Sequence, residues 1–234
     1  MRTIYLVLLL SCVFPALGQD NIVHFSLWDP RPGQAALFEE GYHHHLQWHA
    51  ANKDTWNWYG WYFISGPRHG QFIDATFGHS WSDFDHPVNP AGDGADNGLH
   101  TEPFGNFLKG YKAVRLQFSD TEDTVVLTSK FLRMLTIEVS DRAGAGQLIK
   151  RLLADYRQKG LVDKALVYEL VDGGQVGQVI VFLSASSFAD LGKTAEWPGD
   201  LLDLDRRNGV RAIGAITAET LRFRRDMSIL TALR

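Results

Sequence analysis

The sequence predicts an α+β fold built from two ferredoxin-like (βαββαβ) repeats, on three observations. Alternating apolar runs and helical apolar stripes recur in the same order in both halves of the chain. Residues 65–85 align without gaps on 172–192, which sets Gly66 on Gly173, Gly70 on Gly177, Gln71 on Gln178, Ile73 on Ile180, Ser80 on Ser187 and Asp83 on Asp190. Gly33-Gln34 and Gly146-Gln147 match at the start of a helix in each half. Self-similarity of this kind marks a repeated structural unit. A ferredoxin-like sheet has helices on one face only, so its other face needs a partner. Two units in one chain can supply that partner to each other.

In the first half, residues 22–28 alternate, with Val23, Phe25 and Leu27 on one face and His24, Ser26 and Trp28 on the other, as in a strand. Pro30, Pro32 and Gly33 break it, and a helix is expected from about Gln34 to about Asn52. At one hundred degrees per residue, Phe38, Tyr42, His45 and His49 share a stripe flanked by Leu46 and Ala35. Leu37, Gly41, His44 and Trp48 form an adjoining one. Residues 56–64 (WNWYGWYFI) read as a strand with aromatics on both faces. A turn at 65–70 leads to its antiparallel return over 71–79, with Asp74 among apolar neighbours. Ser80, with Asp83 three residues on, caps a short helix. The Gly-, Pro- and Asp-rich stretch 86–106 reads as a long loop, and residues 111–118 as a strand. The second half repeats the series. One or two strands occupy 124–140, a helix runs from 144 to 159, and 164–171 and 176–183 form a hairpin. A short helix opens at 187–191, Trp197-Pro198 interrupts, residues 200–206 are helical, and a final strand spans 212–224.

With 234 residues, 45% hydrophobic and 21% charged, the chain is of ordinary globular composition. Its net charge of −4 and the lack of any basic run argue against nucleic acid as a partner. Residues 1–18 have the anatomy of an export signal: Arg2, an apolar run over 4–10, and Ala16-Leu17-Gly18 before the expected cleavage near Gly18. The run is too short to span a bilayer. Cys12, the one cysteine, lies within this segment. The expectation is an exported protein, periplasmic or secreted, whose processed form has no cysteine and rests on its core alone. The remaining chain divides into repeats at 19–120 and 121–234.

The paired signatures SGPRHGQFIDATFGHSWSDF and DGGQVGQVIVFLSASSFADL, set within a βαββαβ unit, resemble the dimeric α+β barrel superfamily. That superfamily includes antibiotic-biosynthesis monooxygenases, NIPSNAP proteins and haem-handling relatives. The resemblance covers roughly residues 22–225 and implies an intrachain version of the barrel, so that a monomer suffices. It also implies a ligand lodged between a sheet and its own helices.

Six of the nine histidines and five of the seven tryptophans fall within 38–85, and no histidine follows His100. A packed core does not need such asymmetry, whereas a site produces it. His45 and His49 lie one helical turn apart, a spacing that lets two imidazoles meet one metal ion. A third ligand would have to come from Asp74, His79 or Asp83 through folding. Equally, these histidines can pack with Tyr42 and bond locally. One of them could instead ligate haem in a slot walled by Trp56, Trp58 and Trp61, non-covalently, since no Cys-x-x-Cys-His occurs. Without any cofactor, His45, His49 and Asp74 are the candidate base and polar handle of an oxygenase or isomerase. Tyr42, Trp48, Trp58, Trp61, Phe77 and His79 are the candidate walls for a flat hydrophobic or aromatic ligand. A non-catalytic interaction module of the cell envelope is the remaining class. The acidic residues Asp83, Asp85, Asp93, Asp96 and Glu102 read as a solvated loop in preference to a calcium site. The second half, with leucine where the first has histidine, reads as scaffold.

Overall fold

The structure, a computed structural model, describes residues 21–120 and 124–230. The segment read as an export signal therefore lies outside the described residues. In chain order the elements are β1 (Ile22–Pro30), α1 (Ala35–Ala51), β2 (Tyr59–Phe63), β3 (Phe72–His79), a 3₁₀ turn (Trp81–Asp85), α2 (Pro90–His100) and β4 (Gly105–Arg115). There follow α3 (Thr124–Leu127), β5 (Phe131–Val139), α4 (Arg142–Gln158), β6 (Ala165–Asp172), β7 (Gln178–Ala185), α5 (Phe188–Lys193), α6 (Trp197–Asn208) and β8 (Ile213–Phe223). All strand pairs are antiparallel, and they close into a barrel in the order β1-β3-β2-β8-β5-β7-β6-β4. Strands β4-β1-β3-β2 are contiguous, as are β8-β5-β7-β6. The two runs meet at a β2·β8 seam and a β4·β6 seam.

Alternation along each strand separates the core into layers. Val23, Phe25 and Leu27 of β1, Tyr59, Trp61 and Phe63 of β2, and Leu132 and Met134 of β5 fill the barrel interior. On the outside, α4 and α6 lay Leu148, Ile149, Leu152, Leu153, Trp197 and Leu201 over the flank made by β5, β6 and β7. Helix α1 covers the opposite flank with Phe38, Tyr42 and Leu46 against Trp28 and Phe72. The turns before β3 and β7 correspond closely: Gly66 and Gly70 have φ of 87° and 89°, and Gly173 and Gly177 have 79° and 91°. These are left-handed positions that favour glycine. Ser187 caps α5 on Asp190 N, and Ser80 forms a capping box with Asp83.

Three sequence expectations are corrected. The stretch 86–106, read as a loop, contains α2. Its composition favours a loop, but Asn89 Oδ1 accepts from Gly92 N, Pro90 starts the first turn, and the helix docks on α1. That docking decides the conformation, and it is close. A Cβ on Gly41 of α1 would stand 1.8 Å from the His100 carbonyl oxygen. Trp197-Pro198 opens α6, because a proline in the first turn lacks only a donor the helix does not use. Residues 124–127 form a short helix ahead of β5. Among the described residues no helix is long and apolar enough to cross a membrane.

Candidate functional site

Helix α1 presents His45 and His49 on the face turned toward the sheet and α2, and both are buried. Helix α2 brings Asp93, Asp96 and Asn97 to meet them. His45 Nε2 and His49 Nε2 are 3.1 Å apart. Asp93 Oδ1 lies 3.3 Å from the first and 3.5 Å from the second. Behind them, His45 Nδ1 is 2.9 Å from Asp96 Oδ2, and His49 Nδ1 is 2.8 Å from Asp54 Oδ2. Asp54 is fixed in turn by Trp56 N at 2.9 Å and Trp58 Nε1 at 3.0 Å. Burial alone would raise the Asp54 carboxyl, but His49, Trp56 N and Trp58 outweigh it and hold the group below its usual range. His45 is lowered, chiefly by burial and against the pull of Asp96.

The tautomers follow from these contacts. A carboxylate accepts only, so each Nδ1 carries a proton and, in the neutral ring, each Nε2 presents a lone pair. Asn97 Nδ2 donates to His45 Nε2 at 3.0 Å, in agreement. Two imidazole lone pairs and the otherwise unpartnered Asp93 Oδ1 thus converge on one point. Such convergence is repulsive unless a cation occupies it. Bonds of about 2.0–2.1 Å to a tetrahedral ion place neighbouring ligand atoms about 3.3 Å apart, the spacing found here. Carboxylates behind both ring N–H groups are the usual supports of metal-bound histidines. Asn97 Oδ1 is also buried without a partner, so rotating the amide offers an oxygen where the donor now stands.

This cluster borders a cleft of about 290 Å³ between α1, α2 and the outer faces of β1 and β3, lined also by Ser26, Trp28, Tyr42, Trp58, Asp74 and Phe107. Asp74 is 2% exposed. Trp28 Nε1 donates to its Oδ2 at 3.2 Å, while Oδ1 has no hydrogen-bond partner. Burial pushes Asp74 up to about 7. The Tyr42 and Ser26 hydroxyls and the Trp28 indole oppose that rise without overcoming it. Unpartnered polar atoms gather here. His24 Nδ1, Asp74 Oδ1, Asp93 Oδ1 and Asn97 Oδ1 belong to residues that line the cleft, and Thr76 Oγ1 belongs to the strand partner of His24. Beyond residue 120, Trp197 Nε1 is the one such atom among the described residues. Buried polar groups are nearly always satisfied, so a cluster of exceptions marks a place for solvent, ion or ligand.

The sequence-read residues distribute unevenly around this site. His45, His49, Asp74, Tyr42 and Trp58 stand together around it. Trp61 and Phe77 do not. They share the inward parity of β2 and β3 and face a small apolar void inside the barrel with Phe25 and Phe182. Trp48 packs edge-on to His49, 5.1 Å away, outside the cleft lining. His79 is turned outward past a bulge at Gly78 and lies tilted against Trp56 with ring centroids 4.0 Å apart, in a separate cluster with Phe84. The third group beside the two imidazoles is Asp93, and not Asp74, His79 or Asp83. The acidic stretch is not simply solvated, since Asp93 and Asp96 both point at His45. Asp54 and Asn97 escaped the sequence reading, and Asp93 and Asp96 entered it only as part of a solvated acidic stretch. Their one signal was the spacing of Asp93, Asp96 and Asn97, three and four apart after the Asn89-Pro90 cap, which shares a helical face.

No protein-family profile matches the chain, and no curated protein matches it. Solved structures do. One is described as a "putative monooxygenase" from Lactobacillus acidophilus, with a TM-score of 0.58, 9% identity, and coverage of 89% of this chain and 95% of that one. An anthrone oxidase-like protein has a TM-score of 0.52 and 11% identity, covering 88% and 92%. A heme-binding protein from Thermus thermophilus has 0.51 and 8%, covering 88% and 92%. At such identities the likeness is one of fold, and the chain shares the α+β barrel of monooxygenase-type and heme-binding proteins.

Proposed function

We propose that the chain is an exported, metal-dependent enzyme acting on a small molecule in the cleft between α1, α2 and the sheet. Its two βαββαβ halves form an intrachain pair, which makes a monomer sufficient. Removal of residues 1–18 belongs to the same proposal. One observation carries the reading: two imidazole nitrogens and a carboxylate oxygen converge at 3.1–3.5 Å, with a carboxylate behind each ring. Two histidines and one carboxylate suit zinc or ferrous iron. Bound there, the ion supplies a Lewis acid beside the ligand space. His45, His49 and Asp93 hold it, with Asn97 within reach. Asp96 and Asp54 fix the rings, and Asp74 with Tyr42 positions a proton on the cleft floor.

The residues present fit haem poorly. An axial histidine needs a nitrogen standing alone over an apolar slot, whereas both Nε2 atoms here face each other and Asp93. The cleft lining includes three carboxylates, Asp74, Asp93 and Glu102, and no lysine or arginine to meet propionates. The slot expected between Trp56, Trp58 and Trp61 does not form, because Trp61 is inside the barrel. Acid–base turnover without any cofactor is the second reading, favoured by Asp74, whose value of about 7 suits a general base at neutral pH.

Elemental analysis of the purified chain and titration with cobalt(II) test the metal reading. One ion per chain is expected, with visible cobalt bands. His49→Ala should abolish both, and Asp96→Asn should weaken binding by roughly 10- to 100-fold. Absence of stoichiometric metal from native and cobalt-treated protein alike would remove this reading and leave the cofactor-free one.

A further inference from the structure

The charge balance of the cleft constrains what enters it. Asp93, Asp96 and Asp54 surround the metal position, so a divalent ion leaves that centre with net negative charge. Glu102 adds an exposed carboxylate to the lining, His24 is held neutral by burial, and no cationic side chain lines the space. Anionic substrates such as carboxylates and phosphates are therefore repelled. On the floor, Trp28 Nε1 donates to one Asp74 oxygen, while the other has the Tyr42 and Ser26 hydroxyls nearby but no donor in hydrogen-bond geometry. An ammonium placed there keeps the carboxyl ionised, against the burial that otherwise pushes it up to about 7, and supplies the donor that oxygen lacks. Aromatic faces stand beside it. Trp28 and Tyr42 are buried, and Phe107, half exposed, meets Trp28 edge-on with ring centroids 5.0 Å apart. A carboxylate framed by aromatic rings is the usual receptor for an organic cation, which needs both a counter-charge and π faces when desolvated.

We infer that the substrate is a small arylalkyl amine, bound as its ammonium on Asp74 with its ring against Trp28 and Phe107. The inference rests on the reading of this cleft as the ligand site and is independent of which metal is held. A neutral alcohol could also donate to Asp74 Oδ1, but the surrounding carboxylates favour the cation over it. The volume of about 290 Å³ suits a single-ring amine.

Calorimetric titration of the metal-loaded chain with phenethylamine, 2-phenylethanol and phenylacetate decides it. Phenethylamine should bind roughly tenfold or more tighter than 2-phenylethanol, with phenylacetate the weakest. Asp74→Asn, shown folded by its melting curve, should bring phenethylamine down to the level of the alcohol. Phenylacetate binding as well as the amine, no amine binding at all, or an amine preference that survives Asp74→Asn would each overturn the inference. The wild-type ligand series alone gives the answer even where the variant does not fold. Metal content measured on the same samples separates the two readings. Metal present without amine preference sinks only this inference, whereas amine preference in protein that takes up no metal even after cobalt treatment sinks only the metal centre.

Discussion

Asp74 is the residue whose chemistry departs furthest from its sequence context. In an apolar-flanked strand it could be an exposed charge on the solvent side. The fold instead places it beneath α1, where Tyr42, Ser26, Trp28 and, at longer range, His49 are the groups that face it. Its folded value of about 7 exceeds the ordinary carboxylate value, so the native state keeps a proton that the unfolded chain releases near pH 4. Stability from this group is therefore full at low pH and falls as pH rises toward 7, by at most about 4 kcal/mol. His24, held down at about 4 by burial and then by Lys112, works in the opposite direction over the same range. The comparison with Asp74→Asn isolates the carboxyl. In urea melts of metal-free protein, the variant should gain on the wild type between pH 5 and pH 8, and a constant difference would count against a buried, protonated Asp74. The α1 histidines were legible because an i,i+4 pair needs only one helix. Asp93 was not, because its ligand geometry depends on a second helix that composition argues against.

At the scale of elements, α2 has little of its own to hold it. It buries no residue fully, contains three glycines, and is anchored by polar contacts to His45 and by its close approach to Gly41. Helix propensity is low for such a sequence, and docking supplies what propensity lacks. Gly41→Ala should therefore force the helices apart at the His100 carbonyl, at about 1–3 kcal/mol. Cobalt affinity should drop with it, although no ligand has changed. Retained affinity would show that Asp93 reaches the histidines without that approach. Strands were easier to read than this helix, because alternation is local. Which face of a strand lies inside is not local, however. Aromatics on both sides of residues 56–64 gave no sign that Trp61 belongs to the interior and Trp58 to the outside.

The whole molecule is a ring whose two runs of strands are joined by ion pairs as well as hydrogen bonds. Arg68, in the turn before β3, donates through Nε to Glu219 Oε2 of β8 at 2.8 Å and through its backbone N to Oε1 at 3.0 Å. The Glu219 side chain is 1% exposed. Removing one partner strands the other charge, so Glu219→Gln should cost about 3–5 kcal/mol. Chemical unfolding should remain a single transition, since the strands of one half close the sheet of the other. Two separate transitions would mean that the halves stand alone. The matched turns at Gly66 and Gly70 and at Gly173 and Gly177, with the caps at Ser80 and Ser187, were visible because they recur at fixed spacing. The closure itself was expected only through the need of each sheet for a cover. The two flanks of the ring differ in how settled they are. Under α4, Trp197 Nε1 is the one buried side-chain polar atom without a partner among the described residues and leucines interlock, while under α1 donors and acceptors sit idle in the dark. Heat-hardening this protein by swapping those idle groups for valine or phenylalanine would yield a sturdier shell with a blank wall, so robustness and usefulness compete on one side of the ring alone.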